Sequence, residues 1–243
     1  MFTYLRLFVL CAAFGFGLGV WAQALPKSAD TKSDYSKEAF VIEQESTRIV
    51  FENDGTGMRE STARIRIQSD AGVQRYGVLT FSYQASNESV EVDYVRVKKP
   101  DGAAISSPAD NIQDMPAEIT RAAPFYSDLR EKHVPVKGLS VGDVLEFQSH
   151  WHVTQPLAPG QFWYAYNCSH DTIILQEQLQ ISVPRERPVK WKSPDLKPVV
   201  TEEGPRRVFT WTSSQLEHKS SEQEKKDQEE KTYQAARGKF PPA

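Results

Sequence analysis

A chain of 243 residues and 27.5 kDa is long enough to bury a sizeable core, as one large domain or two small ones. Charged residues at 25% and aromatics at 11% exclude a disordered tail. The 29 Lys and Arg against 32 Asp and Glu, a net charge of −3, lack the basic footprint of a nucleic-acid binder. Two cysteines can build neither a disulfide scaffold nor a four-thiolate zinc site.

Residues 1–24 read as an export signal. Arg6 precedes an apolar stretch from Leu7 to Trp21, and Ala22-Gln23-Ala24 is the small-x-small pattern that signal peptidase cuts. As a helix the stretch would span only ~22 Å, short of the ~30 Å hydrocarbon core. No stable membrane insertion is therefore expected after cleavage, and the product should be periplasmic or extracellular. Cys11 follows Leu10, where a lipoprotein signal would need a small residue. The mature chain keeps one cysteine, Cys168, so its fold must rest on a core without an intrachain disulfide.

Residues 25–37 are polar and read as a flexible leader. From 38 to 213 the signals are those of strands and turns. Asn53-Asp54-Gly55 separates candidate strands near 39–52 and 58–69, because Asp-Gly tolerates the positive φ of a tight hairpin. Ala63, Ile65 and Ile67 alternate with Arg64, Arg66 and Gln68, giving one buried and one wet face. A third strand is predicted over 73–83, with Leu79, Phe81 and Tyr83 on one side. In 88–98, Val90, Val92 and Tyr94 share a face before Val95 and Val97 take over, so a bulge is predicted at Tyr94-Val95. Pro100-Asp101-Gly102 closes that strand. Periodicity is lost over Pro108–Leu129, which reads as a functional loop or a packed Ω-loop. Strand signals return at 130–136 and 143–154. In the latter, Leu145, Phe147, Trp151 and Val153 face one way and Glu146, Gln148, His150 and His152 the other. Further strands are predicted at 161–167, 172–183, 188–192 and 206–212.

Short strands at turn-separated intervals, without alternating helices, predict an all-β, antiparallel two-sheet β-sandwich. Trp151, Phe162, Tyr164, Phe209 and Trp211 are its expected large core residues. Residues 214–243 differ: the Lys, Glu and Gln-rich run favours a solvated helix or charged linker. It ends in Gly238-Lys239-Phe240-Pro241-Pro242-Ala243, which reads as a cut before a following domain.

Three runs carry a family resemblance: Asp110-Asn111-Ile112-Gln113-Asp114-Met115-Pro116, Tyr126 through Leu139 (YSDLREKHVPVKGL), and Val141-Gly142-Asp143-Val144-Leu145-Glu146. They resemble a bacterial domain of unknown function, DUF3857, over most of 38–213. The resemblance implies a β-sandwich on the amino-terminal side of a transglutaminase-like, papain-like module in exported proteins. Active members of that module use a Cys-His-Asp triad. No stretch here matches it, so no catalytic residue is carried over.

Four constellations are candidates for chemistry. His150-x-His152 and Cys168-x-His170 are two i,i+2 pairs, and on neighbouring strands their nitrogens and sulfur could meet around zinc or copper. The alternative is that both histidines are ordinary residues of a wet face. Cys168 could be a nucleophile with His170 as base, but no third orienting residue is evident, and a lone cysteine is usually a small buried hydrophobe. The run Phe162-Trp163-Tyr164-Ala165-Tyr166 is either a sugar or peptide platform or, by alternation, core on one side with Trp163 outside. The 108–129 loop carries Asp110, Asp114, Glu118 and Asp128 with Arg121 and Arg130, without calcium-loop spacing. Asn87-Glu88-Ser89 and Asn167-Cys168-Ser169 match the glycosylation pattern, which would be incidental in the bacterial setting that the resemblance implies.

No residue is therefore assigned as catalytic, cofactor-binding or metal-ligating, and no cofactor is expected. The expected function is that of an exported, non-catalytic module that binds or positions a partner: a transglutaminase-like domain or another exported protein, and not nucleic acid. An independent ligand-binding or adhesion module is the alternative, and a metal-dependent enzyme at the His150, His152, Cys168 and His170 cluster the third.

Overall fold

A computed structural model of the chain describes residues 35–122, 128–166, 171–193 and 196–218. The export signal, most of the leader, Cys168, His170, and the charged segment from 219 onward lie outside the described residues.

The first hairpin forms where predicted. β1 (Phe40–Phe51) and β2 (Gly57–Ile67) pair antiparallel. Gly55 takes φ +92°, and Asp54 Oδ1 accepts from the Thr56 amide at 2.9 Å and its hydroxyl at 2.7 Å, which pins the turn. The third predicted strand begins five residues late. α1 (Asp70–Tyr76) occupies its first half, and β3 is Val78–Gln84. Val73 and Tyr76, three apart, both pack on the core from α1, so helical spacing satisfied the apolar positions there. Gly72 permits the approach: a Cβ there would lie 2.3 Å from the Ala39 carbonyl oxygen.

β4 (Glu88–Lys98) has its predicted bounds, with its register shift between Val92 and Tyr94, one residue before the position expected. Gly102, at φ +89°, turns the chain into the short β5 (Ala104–Ser106). The 108–129 region is more regular than its sequence suggests. It contains a 3-10 turn (Ala109–Asn111), β6 (Gln113–Pro116) and a helical turn, α2 (Ile119–Ala122). β6 is too short for its period of two to show, and pairing to β7 (Leu129–Pro135) makes it a strand. β8 (Val144–Val153), β9 (Ile174–Pro184) and β11 (Arg206–Gln215) follow the prediction closely. β10 (Val199–Glu203) is an additional, fully exposed edge strand whose side chains carry no burial pattern to read.

Two predicted strands are corrected. Residues 161–166 and 188–192 are extended but belong to no sheet. In 161–166 the aromatic alternation arises because Phe162, Tyr164 and Tyr166 pack on a sheet face and the residues between them do not, which imitates a strand without ladder hydrogen bonds; in 188–192 Val189 is the residue packed on that face, and Trp191 is exposed.

The eleven strands among the described residues form two sheets. One is eight-stranded, in the order β10-β11-β9-β1-β2-β8-β4-β5, and the other is β3-β7-β6. Every pair is antiparallel except β1 with β9. The all-β sandwich expected from the sequence is the fold. Leu79, Phe81, Tyr83 and Val134 of the small sheet pack on Ile65, Val97 and Leu145 of the large one. Phe81 meets Phe147 and Trp151 at ring distances of 5.8 and 5.7 Å, and the Trp151 indole donates to the Ser82 carbonyl at 3.0 Å. Among the described residues no helix is long and apolar enough to cross a membrane.

Candidate functional site

Register places the side chains of the large sheet's inner face in rows across the strands. One row runs Ile174, Ile42, Ile65, Leu145, Val97. The next runs Ser213, Glu177, Glu45, Ala63, Phe147, and the one after it Trp211, Leu179, Thr47, Ser61, Ser149. The small sheet covers the β2, β8 and β4 end of this face. The β1, β9 and β11 end is covered differently, by the two extended segments. Between those segments lies an open groove of about 490 Å³.

The groove floor is Phe51, Leu179, Ile181, Phe209 and Trp211. Phe162 anchors one wall, stacked on Phe51 at 4.1 Å and 11°. Arg187 locks the wall from outside: its guanidinium lies 5.3 Å from the Phe162 ring and donates to the carbonyls of Asn53, at 3.1 Å, and Gly160. Tyr164 and Tyr166 follow along the same wall, while Trp163 is 63% exposed, as alternation requires. The opposite wall comes from residues 189–193, where Trp191 meets Trp211 edge-on at 6.2 Å and the exposed Lys190 and Lys192 stand at the rim. Of the five expected core aromatics, Phe209 is buried. Trp151, Phe162, Tyr164 and Trp211 are partly buried, and the last three line the groove.

One end of the groove is polar. Glu177 is 4% exposed and accepts from the Tyr166 hydroxyl at 2.7 Å and the Ser213 hydroxyl at 2.5 Å. Glu45 sits beside it on the parallel strand. Burial, and then the charge of Glu177, push the Glu45 carboxyl above its ordinary value. Tyr76 is pushed up to about 12, chiefly by burial; Arg75 opposes this and Glu45 adds to it. Sequence reading missed this pair because the two glutamates lie far apart in the chain, on strands whose parallel pairing no local pattern announces.

The outer face of the same sheet is charged. Glu146, buried at 5% exposure, receives Arg64 at 2.8 Å, Arg96 at 2.7 Å and Lys98 at 2.8 Å. Burial raises its pKa, but the hydrogen bonds and charges of Lys98 and Arg96 outweigh it and hold the carboxyl below its ordinary range. Glu43 bridges Arg64 and Arg66 at 2.7 and 3.4 Å.

Of the four-residue histidine and cysteine candidate, His150 and His152 are among the described residues. His150 does face outward with His152, their rings 6.3 Å apart. Its Nε2 faces Glu60 at 3.0 Å and its Nδ1 faces Asp93, the bulge residue, at 2.7 Å. The two carboxylates stand at opposite ring nitrogens, so they cannot share an ion with the ring. Among the described residues no group of His, Cys, Asp and Glu is arranged to hold a metal. Two of the carboxylates of the 108–129 region, Asp114 and Asp128, are tied into the structure, whereas Asp110 and Glu118 are exposed. Asp114 accepts from Tyr83 at 2.7 Å and Arg130 at 2.9 Å, and Asp128 accepts from Ser86 at 2.6 Å. Burial opposes ionisation of Asp114, but those two partners overcome it and keep the carboxyl below its usual range. Asn87 is buried at 7% exposure, so its glycosylation pattern is not accessible.

These features define an all-β sandwich domain with an aromatic groove and a charged outer sheet face. The chain belongs to the DUF3857 family, whose model, described as a domain of unknown function with solved-structure structure, matches residues 53–220. No curated protein matches it. Among solved structures it is similar to "a putative protease" from Parabacteroides distasonis, at 18% identity and a TM-score of 0.64. That match covers 75% of this chain and 37% of that one, so this chain spans little more than a third of that protein's length. An M1 zinc metallopeptidase from Deinococcus radiodurans matches at 9% identity and a TM-score of 0.38, over 72% of this chain and 39% of that one. Native leukotriene A4 hydrolase from Saccharomyces cerevisiae matches at 11% and 0.37, over 78% and 30%. Neither of these two bears on the chemistry of this chain.

Proposed function

We propose that this chain is an exported, non-catalytic sandwich that binds and positions a polypeptide partner, a transglutaminase-like domain or another exported protein. The observation that carries this reading is the aromatic groove: an open trough floored by Phe51, Phe209 and Trp211, on a face that a sandwich normally covers with its second sheet. Supporting a passive role, the carboxylate that lines its polar end, Glu177, is engaged in structure by the Tyr166 and Ser213 hydroxyls. The solved neighbour of matching fold extends well beyond the matched region, in keeping with a sandwich that accompanies a second module.

Two experiments test the proposal. Expression of the full chain in a bacterial host, with N-terminal sequencing of the secreted or periplasmic product, should show cleavage after Ala24. Titration of a recombinant transglutaminase-like domain against that product should shift its tryptophan fluorescence, since Trp191 and Trp211 border the groove. The shift should be lost in Trp211→Ala. Binding that survives Trp211→Ala unchanged, or turnover of any substrate by the isolated product, would overturn the reading. A second reading, an independent adhesion module, is favoured by Trp163, 63% exposed beside the groove. Glycan and peptide arrays distinguish it: glycan signal lost in Trp163→Ala would support it, and a blank glycan array would remove it.

A further inference from the structure

The groove contains an electrostatic imbalance. Glu177 and Glu45 are side by side on parallel strands, one fully and one largely removed from water, and neither forms an ion pair with Lys, Arg or His among the described residues. Adjacent like charges in a poorly solvated site are costly unless a cation joins them. The contrast with the outer face is direct: there Glu146, equally buried, holds three cations. Glu177 lines the groove, whose other surfaces are largely aromatic. Aromatic faces with a carboxylate at one end form a receptor for an alkylammonium group, which gains from ring faces and carboxylate together.

We infer that the groove seats a single lysine side chain of the bound polypeptide, its ammonium received by Glu177 with Glu45 behind it and its stem lying along Tyr166 and Trp211. The inference rests on the binding role proposed above and names the chemistry of the occupant. Both Glu177 oxygens already accept a hydroxyl, Oε1 from Tyr166 and Oε2 from Ser213. Each retains room for a further donor, but the open edge that a bidentate guanidinium needs is partly taken, whereas a compact ammonium fits. The four-carbon stem of lysine matches an apolar trough with a charged end. Lys190 and Lys192 at the rim repel additional cations, so the occupant carries one lysine among apolar or acidic neighbours and is not a polybasic stretch.

The test uses the full, exported chain and four capped tripeptides, acetyl-Leu-X-Leu-amide, with X as lysine, arginine, norleucine or Nε-acetyl-lysine, read by calorimetry and tryptophan fluorescence. The lysine peptide should bind about tenfold or more tighter than norleucine, the worth of one charge-assisted hydrogen bond, with arginine between them. Glu177→Gln should erase the lysine preference while norleucine binding persists. Should that variant fold poorly by circular dichroism, Glu45→Gln, which leaves the groove lining intact, should reduce the preference instead. Equal binding of lysine and norleucine on the unaltered chain, binding of neither, or a lysine preference that survives Glu177→Gln would overturn the inference. Continued titration by the partner domain in the same preparation would show that the binding role stands without it.

Discussion

Replacing Glu146 with alanine removes the anion at which three strands meet. Arg64 of β2, Arg96 of β4 and Lys98 of β4 all point at this one carboxylate of β8, at 2.7 to 2.8 Å. The cations are 41 to 43% exposed, so each pair alone is worth only about 0.2 to 1 kcal/mol. The Glu146 side chain, by contrast, is only 7% exposed, and its loss leaves three positive charges clustered across neighbouring strands. Arg64 retains Glu43 at 2.7 Å, which limits the damage at one of the three. The sum is a loss of about 2 to 3 kcal/mol, below the 3 to 5 of a fully buried pair. For a domain of this size that lowers the melting temperature by roughly 5 to 10 °C. Thermal unfolding followed by circular dichroism measures it. Two controls separate this cause from general damage. Raising the salt to about 1 M shortens screening to roughly 3 Å and should narrow the gap, because the residual repulsion is between exposed cations. Acid should close it: the folded pKa of Glu146 lies below its unfolded value, so its stabilisation is complete above the unfolded pKa and lost as pH falls through the folded one. A gap under about 0.5 kcal/mol at neutral pH, or one insensitive to both salt and acid, would refute the reasoning.

The inner carboxylate behaves in the opposite sense. Because burial and Glu177 raise the folded pKa of Glu45 above its unfolded value, ionised Glu45 costs stability at neutral pH, and that cost is relieved as pH falls through the raised pKa. Glu45→Gln should therefore melt above the parent at pH 7 and converge with it on acidification, and it should bring Tyr76 down from about 12 in a spectrophotometric titration. A variant that melts lower at pH 7 would contradict this. The groove wall supplies a paired prediction. Phe162→Ala, which deletes the ring stacked on Phe51, should cost about 2 to 3 kcal/mol, whereas Trp163→Ala next to it should stay within about 0.5 kcal/mol. Urea unfolding of both variants checks the alternation, and equal costs would mean that the segment does not lie against the sheet as described.

Local chemistry carried most of the strand list. Ala63, Ile65 and Ile67 alternate because β2 is wet on one face, and Asp54-Gly55 turns because Gly55 adopts φ +92°. The period-two signal misled where burial and pairing separate. Residues 161–166 alternate because a sheet face lies beneath them, and Val73 and Tyr76 reach the core from a helix. It was silent where both faces are wet, as in β10. By itself, then, the sequence determined the fold class, the first hairpin, the wet and buried faces of its strands and the family, since each depends on residues that are neighbours in the chain. Tertiary structure alone decided the site. Glu45 meets Glu177 across the parallel β1–β9 pair, and Phe51, Tyr166, Trp191 and Trp211 converge from four separate segments. Such meetings are set by which strands pair and in what register, and side-chain alternation along one strand is the same whichever partner lies alongside it.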